Sequence, residues 1–127
     1  MEVGAYDLKL LYNVVPEGAS YLADRDIRQI AKSTEFNHRP DVICVSGLTA
    51  GAETDSQILK QVKDALKKTP VFCNTGCNVG NIRKQLEIAD GAITGTTFKF
   101  DGLFENAVDV SRVKVFMDEV RAFRKEL

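Results

Sequence analysis

Tryptophan is absent from this chain, histidine occurs once, cysteine three times, and no apolar run exceeds a few residues. Each shortage excludes something. A membrane-spanning helix needs roughly 18 or more consecutive apolar residues, and none is available. The opening MEVGAYDLK has no basic segment followed by an apolar one, so no secretory leader is read and a cytoplasmic protein is expected. Cys44, Cys73 and Cys77 are an odd set in a chain large enough to bury a core unaided, which favours reduced thiols over disulfide staples. Cys73 and Cys77 form a C-x3-C pair, but the single His38 is distant in sequence and no second close pair exists. Structural zinc takes four nitrogen or sulfur ligands, so neither a metal nor another cofactor is expected. The glycine-rich dinucleotide and P-loop motifs and the H-E-x-x-H zinc motif are missing as well. An excess of one charge is also lacking. Seventeen Lys and Arg against 18 Asp and Glu leave a net charge of −1, which gives no overall basic field for nucleic acid or an anionic membrane surface.

What is present is the composition of one soluble domain: 127 residues, 44% apolar and 28% charged. The hydrophobic period switches four times from a short run to helical spacing. Leu8 to Val15 (LKLLYNVV) breaks at Pro16 and Gly18 and is followed by Ile27, Ile30 and Ala31, a helix that Asp24 can open. Val42 to Val45 (VICV) precedes the loop SGLTAGAETD and a stripe of Ile58, Val62, Ala65 and Leu66, with Thr54 or Asp55 as N-cap. After Pro70, VFC leads through NTGCN to Val79, Ile82, Leu86 and Ala89 on one helix face, capped by Asn78. AITG precedes the loop TTFKFDGLFENAVD and a terminal helix carrying Val113, Phe116, Met117, Val120 and Phe123, capped by Asp109 or Ser111. Four strand-then-helix units imply an α/β fold with a parallel sheet. An open doubly wound sheet and a segment of a (βα)8 barrel both fit, and in either the ligand site lies at the carboxyl ends of the strands. A flavodoxin-like domain is disfavoured, because its five-strand order cannot be made from four strands.

The loops after the strands therefore carry the candidate site. Asn74, Gly76, Cys77 and Asn78 follow the third strand, and Gly95, Thr96 and Thr97 the fourth. Glycine lets backbone approach a ligand closely and a helix start presents N–H groups, which suits phosphate; the alternative is that Gly76 and Gly95 only permit tight turns and close strand packing. On the phosphate reading, a bulky residue at Gly76 is expected to abolish binding and spare the fold. Ser46, Gly47 and Thr49 offer hydroxyls and amides from the second loop, and Glu53 reads as charge complementing a helix start. In the first loop, Asn13 is polar, and Glu17 after Pro16 can be aimed into a site as a general acid or base, or can be a solvated loop carboxylate. Lys99 can pair with an anionic substrate and Asp101 orient it, or both can belong to a surface turn with Gly102. His38 precedes its strand, at the wrong end to serve Ser46, so a serine hydrolase is rejected. Cys73 reads as a small buried residue, and Cys77, at a helix start, as the thiol with the better claim to a lowered pKa.

Taken together, DVICVSGLTAGAETD, TPVFCNTGCN and ADGAITGTTFKFDGLFENAVDVSRVKVFM resemble the carboxyl-terminal half of the BtpA/SgcQ family of predicted (βα)8-barrel proteins, and YNVVPEGASYLADRDIRQIAKST resembles the fifth unit of its SgcQ-like branch. The resemblance implies one domain over 1–127, corresponding to barrel strands 5 to 8 with helices outside, and a phosphate-type site near Gly76 and Thr96. One branch is associated with photosystem I biogenesis and the other with sugar or nucleoside metabolism. A full barrel takes about 250 residues, so the chain supplies four of eight units, as an internally started product, a truncated chain or a free-standing half-barrel. The leading expectation is binding of a small phosphorylated metabolite, with lyase, isomerase or nucleosidase-type chemistry in the whole barrel and Glu17 and Lys99 as its acid/base and anion partner. The contrasting expectation is a non-enzymatic assembly or stability factor. Four strands leave two unpaired edges, near Leu8 and Ala92, so a homodimer or a missing amino-terminal half-barrel is the expected partner.

Overall fold

A computed structural model describes residues 4–127; positions 1–3 of the expected domain lie outside the described residues. Four strands, β1 (Leu11–Val15), β2 (Val42–Val45), β3 (Val71–Cys73) and β4 (Gly91–Ala92), alternate with helices α1 (Ile27–His38), α2 (Ser56–Ala65), α3 (Ile82–Leu86) and α4 (Val110–Glu126). The sheet is parallel in sequential order β1-β2-β3-β4. Two 3-10 turns, Thr96–Phe98 and Phe100–Gly102, lie between β4 and α4.

Alternation along the strands separates two faces. Ile43, Val45, Val71 and Cys73 are wholly buried, in one core cluster with Ile30 and Ala31 of α1, Leu59 and Val62 of α2, Ile82 of α3, and Phe116 and Val120 of α4. The opposite face carries Asn13, Cys44, Phe72 and Gly91 in register across the four strands, and Leu11 and Ile93 on it are partly exposed. A doubly wound sheet buries both faces under helices, whereas a barrel puts its helices outside only. The one-sided core is therefore that of four successive βα units, half of a (βα)8 barrel.

The helix starts follow from capping chemistry. Asp55 Oδ1 accepts the N–H groups of Gln57 at 2.7 Å and Ile58 at 3.2 Å, and Asp109 Oδ1 accepts that of Ser111 at 2.8 Å. The first helix is opened by Asp26, whose carboxylate accepts Arg28 N–H, and not by Asp24. The third is a five-residue helix after Asn81, so Asn78 is not its cap and Val79 lies before it, exposed. Instead, the Asn78 carbonyl accepts from Asn81 and Ile82 N–H, and Asn81 Oδ1 accepts Asn78 N–H at 2.8 Å, making a closed turn ahead of the helix. The first strand begins at Leu11 rather than Leu8, because the Asp41 carboxylate takes Leu10 N–H at 2.9 Å and ends the apolar run there.

Comparable carboxylates pin the strand-starting end elsewhere. Glu35 accepts Lys68 and Thr69 N–H, and Asp90 accepts Val71 N–H at 2.8 Å while pairing with Lys63. Arg83 of α3 joins α4 through the carboxylates of Glu119 and Glu126. No helix among the described residues is long and apolar enough to cross a membrane.

Candidate functional site

At the carboxyl ends of the strands the loops enclose a cleft of about 540 Å³, within the range of small-molecule sites. Its walls include Glu17 from the first loop, Ala50 and Gly51 from the second, Asn74 to Asn78 from the third, Ile93 to Thr97, Lys99, Gly102 and Phe104 from the fourth, and Arg112 from the start of α4. Of the residues singled out in the sequence, Glu17, Asn74, Gly76, Cys77, Asn78, Gly95, Thr96, Thr97 and Lys99 meet there, while Asn13, Ser46, Gly47 and Thr49 do not line it. Asp101 is exposed in the 100–102 turn, with a left-handed backbone at φ 55°. Glu53 is tied by its Oε1 to Gln85 Nε2 at 3.2 Å and Lys84 Nζ at 3.4 Å.

The third loop packs backbone to backbone against the second. A Cβ placed on Gly76 would fall 2.4 Å from the carbonyl of Ala52 and the Cα of Glu53, and one on Gly47 would fall 2.4 Å from the same Ala52 oxygen. These two glycines hold the Ala52–Glu53 backbone between them, and Gly76 also sits at φ +68°. Two buried threonines complete the clamp: Thr75 Oγ1 accepts Gly47 N–H, and the Thr54 hydroxyl reaches the carbonyls of Val45 and Thr75 at 3.1 and 3.2 Å. The expectation that a bulky residue at Gly76 spares the fold is therefore overturned. Gly95 is different: a Cβ there meets nothing within 4 Å.

Beside this clamp, Ser46 Oγ lies 2.6 Å from Asn13 Nδ2 and 2.8 Å from Asn74 Nδ2, and Asn13 Oδ1 accepts Val15 N–H at 3.2 Å. Asn13 and Ser46 thus support Asn74, which is the member of the row that reaches the cleft. Thr49 spends its carbonyl on Ala52 N–H, turning the second loop so that Ala50 and Gly51 face the cleft. His38 packs on Tyr12, ring centroids 5.3 Å apart, at the end of α1 where β2 begins and away from Ser46.

The electrostatics come from Lys99, Arg112 and Glu17. Among the described residues neither Lys99 nor Arg112 forms an ion pair with a carboxylate. Arg112 Nη1 instead donates to the carbonyls of Thr97 at 3.2 Å and Lys99 at 3.0 Å, fixing the fourth loop. Arg112 lies in the first turn of α4, after the cap Asp109, and also borders a second groove with Val79 and Val115. Sequence reading missed Arg112; a search for cations in the first turn after each loop finds it. The expected helix-start contribution at Asn78 is absent, since a turn intervenes and α3 has only five residues. The positive charge on the cleft wall therefore comes from the side chains of Lys99 and Arg112 and not from a helix start.

The thiols also differ from expectation. Cys73 and Cys77 are both buried with their sulfurs 3.1 Å apart. That hydrogen bond holds Cys73 below the usual thiol range against the opposing effect of burial, while the same bond and burial push Cys77 up. Cys73, not Cys77, is thus the thiol with the lowered pKa. Cys44 is pushed up to about 11 by burial and by the neighbouring Cys73. Among the described residues no group of three or more His, Cys, Asp or Glu side chains is placed to hold a metal ion.

Comparison with known proteins adds a kinship. Residues 2–122 match the family described as the BtpA family. The chain is 54% identical over 123 residues to the sgc region protein SgcQ of Escherichia coli K12, covering 97% of this chain and 46% of that one. It is 31% identical to an uncharacterised protein of Methanocaldococcus jannaschii, covering 90% of this chain and 47% of that one. It is 28% identical over 112 residues to the photosystem I biogenesis protein BtpA of Synechocystis, covering 88% and 39% respectively. The chain spans less than half the length of these curated relatives.

Proposed function

The chain belongs to the BtpA family, and from that premise we propose that its four units are strands 5 to 8 of a (βα)8 barrel that binds a small phosphorylated metabolite, a sugar phosphate or nucleotide-related compound. The observation that carries this reading is the pair of cations, Lys99 and Arg112, beside a cleft edged by the polar groups of Asn74, Asn78, Thr96 and Thr97, with no carboxylate paired to either among the described residues. A phosphate placed there meets the Arg112 guanidinium, held by the carbonyls of Thr97 and Lys99, and the Lys99 ammonium. Glu17 is the acidic side chain on the cleft wall and takes the acid/base role in the lyase, isomerase or nucleosidase-type chemistry of the complete barrel. Strands 1 to 4, from a second copy or an amino-terminal half, supply the remaining wall.

Titration with orthophosphate and a pentose 5-phosphate, followed by calorimetry or NMR, tests the site. Binding at millimolar ligand or tighter is expected, and Lys99→Met weakens it about 10- to 100-fold, the value of one charge-assisted hydrogen bond of about 1.5–3 kcal/mol. Absence of binding in folded protein at millimolar ligand refutes the reading. A second reading, a non-enzymatic assembly factor, is favoured by the exposed Phe100, Leu103, Phe104, Val108 and Val110 around the fourth loop, a concentration of apolar side chains suited to a protein partner. Stabilisation by a protein partner and by no phosphorylated compound selects it.

A further inference from the structure

The ligand reading leaves one pair of nucleophilic groups without a role. Cys73 ends β3, Cys77 follows four residues later in the loop that walls the cleft, and their sulfurs stand 3.1 Å apart. Both residues are almost wholly buried, yet Cys77 is part of the cleft wall, so the cleft is the side from which a small reagent comes nearest to the pair. Their neighbours hold them in place: Gly76 between them is clamped on Ala52–Glu53, and Cys73 Sγ lies 3.7 Å from the Thr75 carbonyl. Cys44, the third cysteine, belongs to the other face of the sheet, in register with Asn13 and Phe72.

We propose that Cys73 and Cys77 are a reversible thiol–disulfide site in the wall of the cleft, oxidised by a peroxide that enters through the cleft. The thiolate of the pair attacks one peroxide oxygen, the O–O bond breaks, and a sulfenic acid forms with release of one water. The second sulfur then attacks the sulfenic sulfur, the S–O bond breaks, and a second water leaves as the S–S bond closes. Two thiols lose two electrons and two protons, and hydrogen peroxide becomes two waters. The contact between the sulfurs supports the first step, because the sulfur that keeps its proton can donate it to the one that is ionised and so stabilise the thiolate of the pair. A disulfide has an S–S length of about 2.05 Å, so closure draws the sulfurs together by about 1 Å. With Gly76 clamped, that movement falls on Cys77 and Asn78, which line the ligand cleft. Oxidation thereby reshapes the cleft wall, and the site stands whether or not the ligand is a phosphate.

Trypsin gives a direct readout. Residues 69–83 (TPVFCNTGCNVGNIR) form one tryptic peptide holding both cysteines, and Cys44 falls in another. The whole chain is treated with hydrogen peroxide, denatured, alkylated and digested. The expected result is a 69–83 peptide lighter by two hydrogens and unalkylated, restored to double alkylation by dithiothreitol, with the Cys44 peptide alkylated throughout. Cys44→Ser is expected to leave this outcome unchanged. A 69–83 peptide that stays doubly alkylated, gains oxygen without losing hydrogen, or becomes linked to the Cys44 peptide overturns the proposal.

Discussion

The clamp on Ala52–Glu53 can be dissected with three single substitutions, because three glycines isolate its two ingredients. Gly18 has φ +63° with open space around its missing side chain, Gly47 has no positive φ but a Cβ there meets Ala52 O at 2.4 Å, and Gly76 combines φ +68° with contacts of 2.4 Å. An alanine at Gly18 pays only the left-handed backbone penalty, about 1–2 kcal/mol. At Gly47, ordinary contact requires about 1 Å of separation to be gained in a packed interior, an overpacking cost of about 1–3 kcal/mol. Gly76→Ala incurs both and is expected to lose about 2–5 kcal/mol, a large share of the roughly 5–15 kcal/mol that holds such a domain together. Urea unfolding followed by circular dichroism measures it; with a slope of about 1–3 kcal/mol/M, the midpoint falls by about 1 M or more. The order of loss expected is Gly76 above Gly47 and Gly18. Because Gly47 and Gly76 press on one peptide, Gly47→Ala/Gly76→Ala loses less than the sum of its parts, since one displacement of Ala52–Glu53 relieves both contacts. If Gly76→Ala unfolds at the same urea concentration as Gly18→Ala, the steric clamp does not exist.

Three further outcomes follow from other parts of the molecule. Burial acts to raise Glu35 and Asp90, but hydrogen bonds from Thr69 and Lys68 to the first, and from Lys63 and Val71 to the second, prevail and leave both carboxyls below their ordinary values of 4.5 and 3.8. Their contribution is therefore full above those values and is lost as pH falls through the folded ones, so the urea midpoint is expected to drop below about pH 4.5 and less steeply in Asp90→Asn; a midpoint rising on acidification contradicts this. Glu17→Gln in a complete family barrel is expected to lower turnover roughly 10²- to 10⁴-fold with little change in ligand affinity, and unchanged turnover returns Glu17 to the class of solvated loop carboxylates. The edges at β1 and β4, with partly exposed Leu11 and Ile93 on the uncovered face, lead us to expect a homodimer in light scattering coupled to size exclusion; a cooperatively unfolding monomer from micromolar to tens of micromolar refutes barrel closure by self-association.

The sequence by itself determined the class and order of the elements. Hydrophobic period and capping chemistry are local, so Val42–Val45, Val71–Cys73 and the α4 stripe were legible, and the Asp55 and Asp109 caps were each narrowed to one of two neighbouring candidates. Elements whose limits depend on distant partners were not. The first strand loses Leu8 and Leu10 because Asp41 claims a backbone N–H 31 positions away, and α3 shrinks because Asn78 and Asn81 close a turn on each other. At the site, sequence order could nominate the loops after the strands, since parallel βα topology sends them all to one end. Which groups meet there was a tertiary matter. Arg112 enters the cleft because its guanidinium binds the carbonyls of Thr97 and Lys99, while Thr49 is turned away by its own backbone. Gly76, offered by the sequence as a ligand-approach glycine or one for tight turns and close packing, and Gly47, offered as part of a ligand-binding loop, are where backbones meet with no room for a Cβ, a constraint set for Gly76 by atoms of another loop and for Gly47 by the far side of its own. The assignment of the lowered pKa to Cys73 likewise arises from a contact between two sulfurs and from their burial, neither of which the spacing C-x3-C fixes, because a four-residue loop can point its two thiols together or apart.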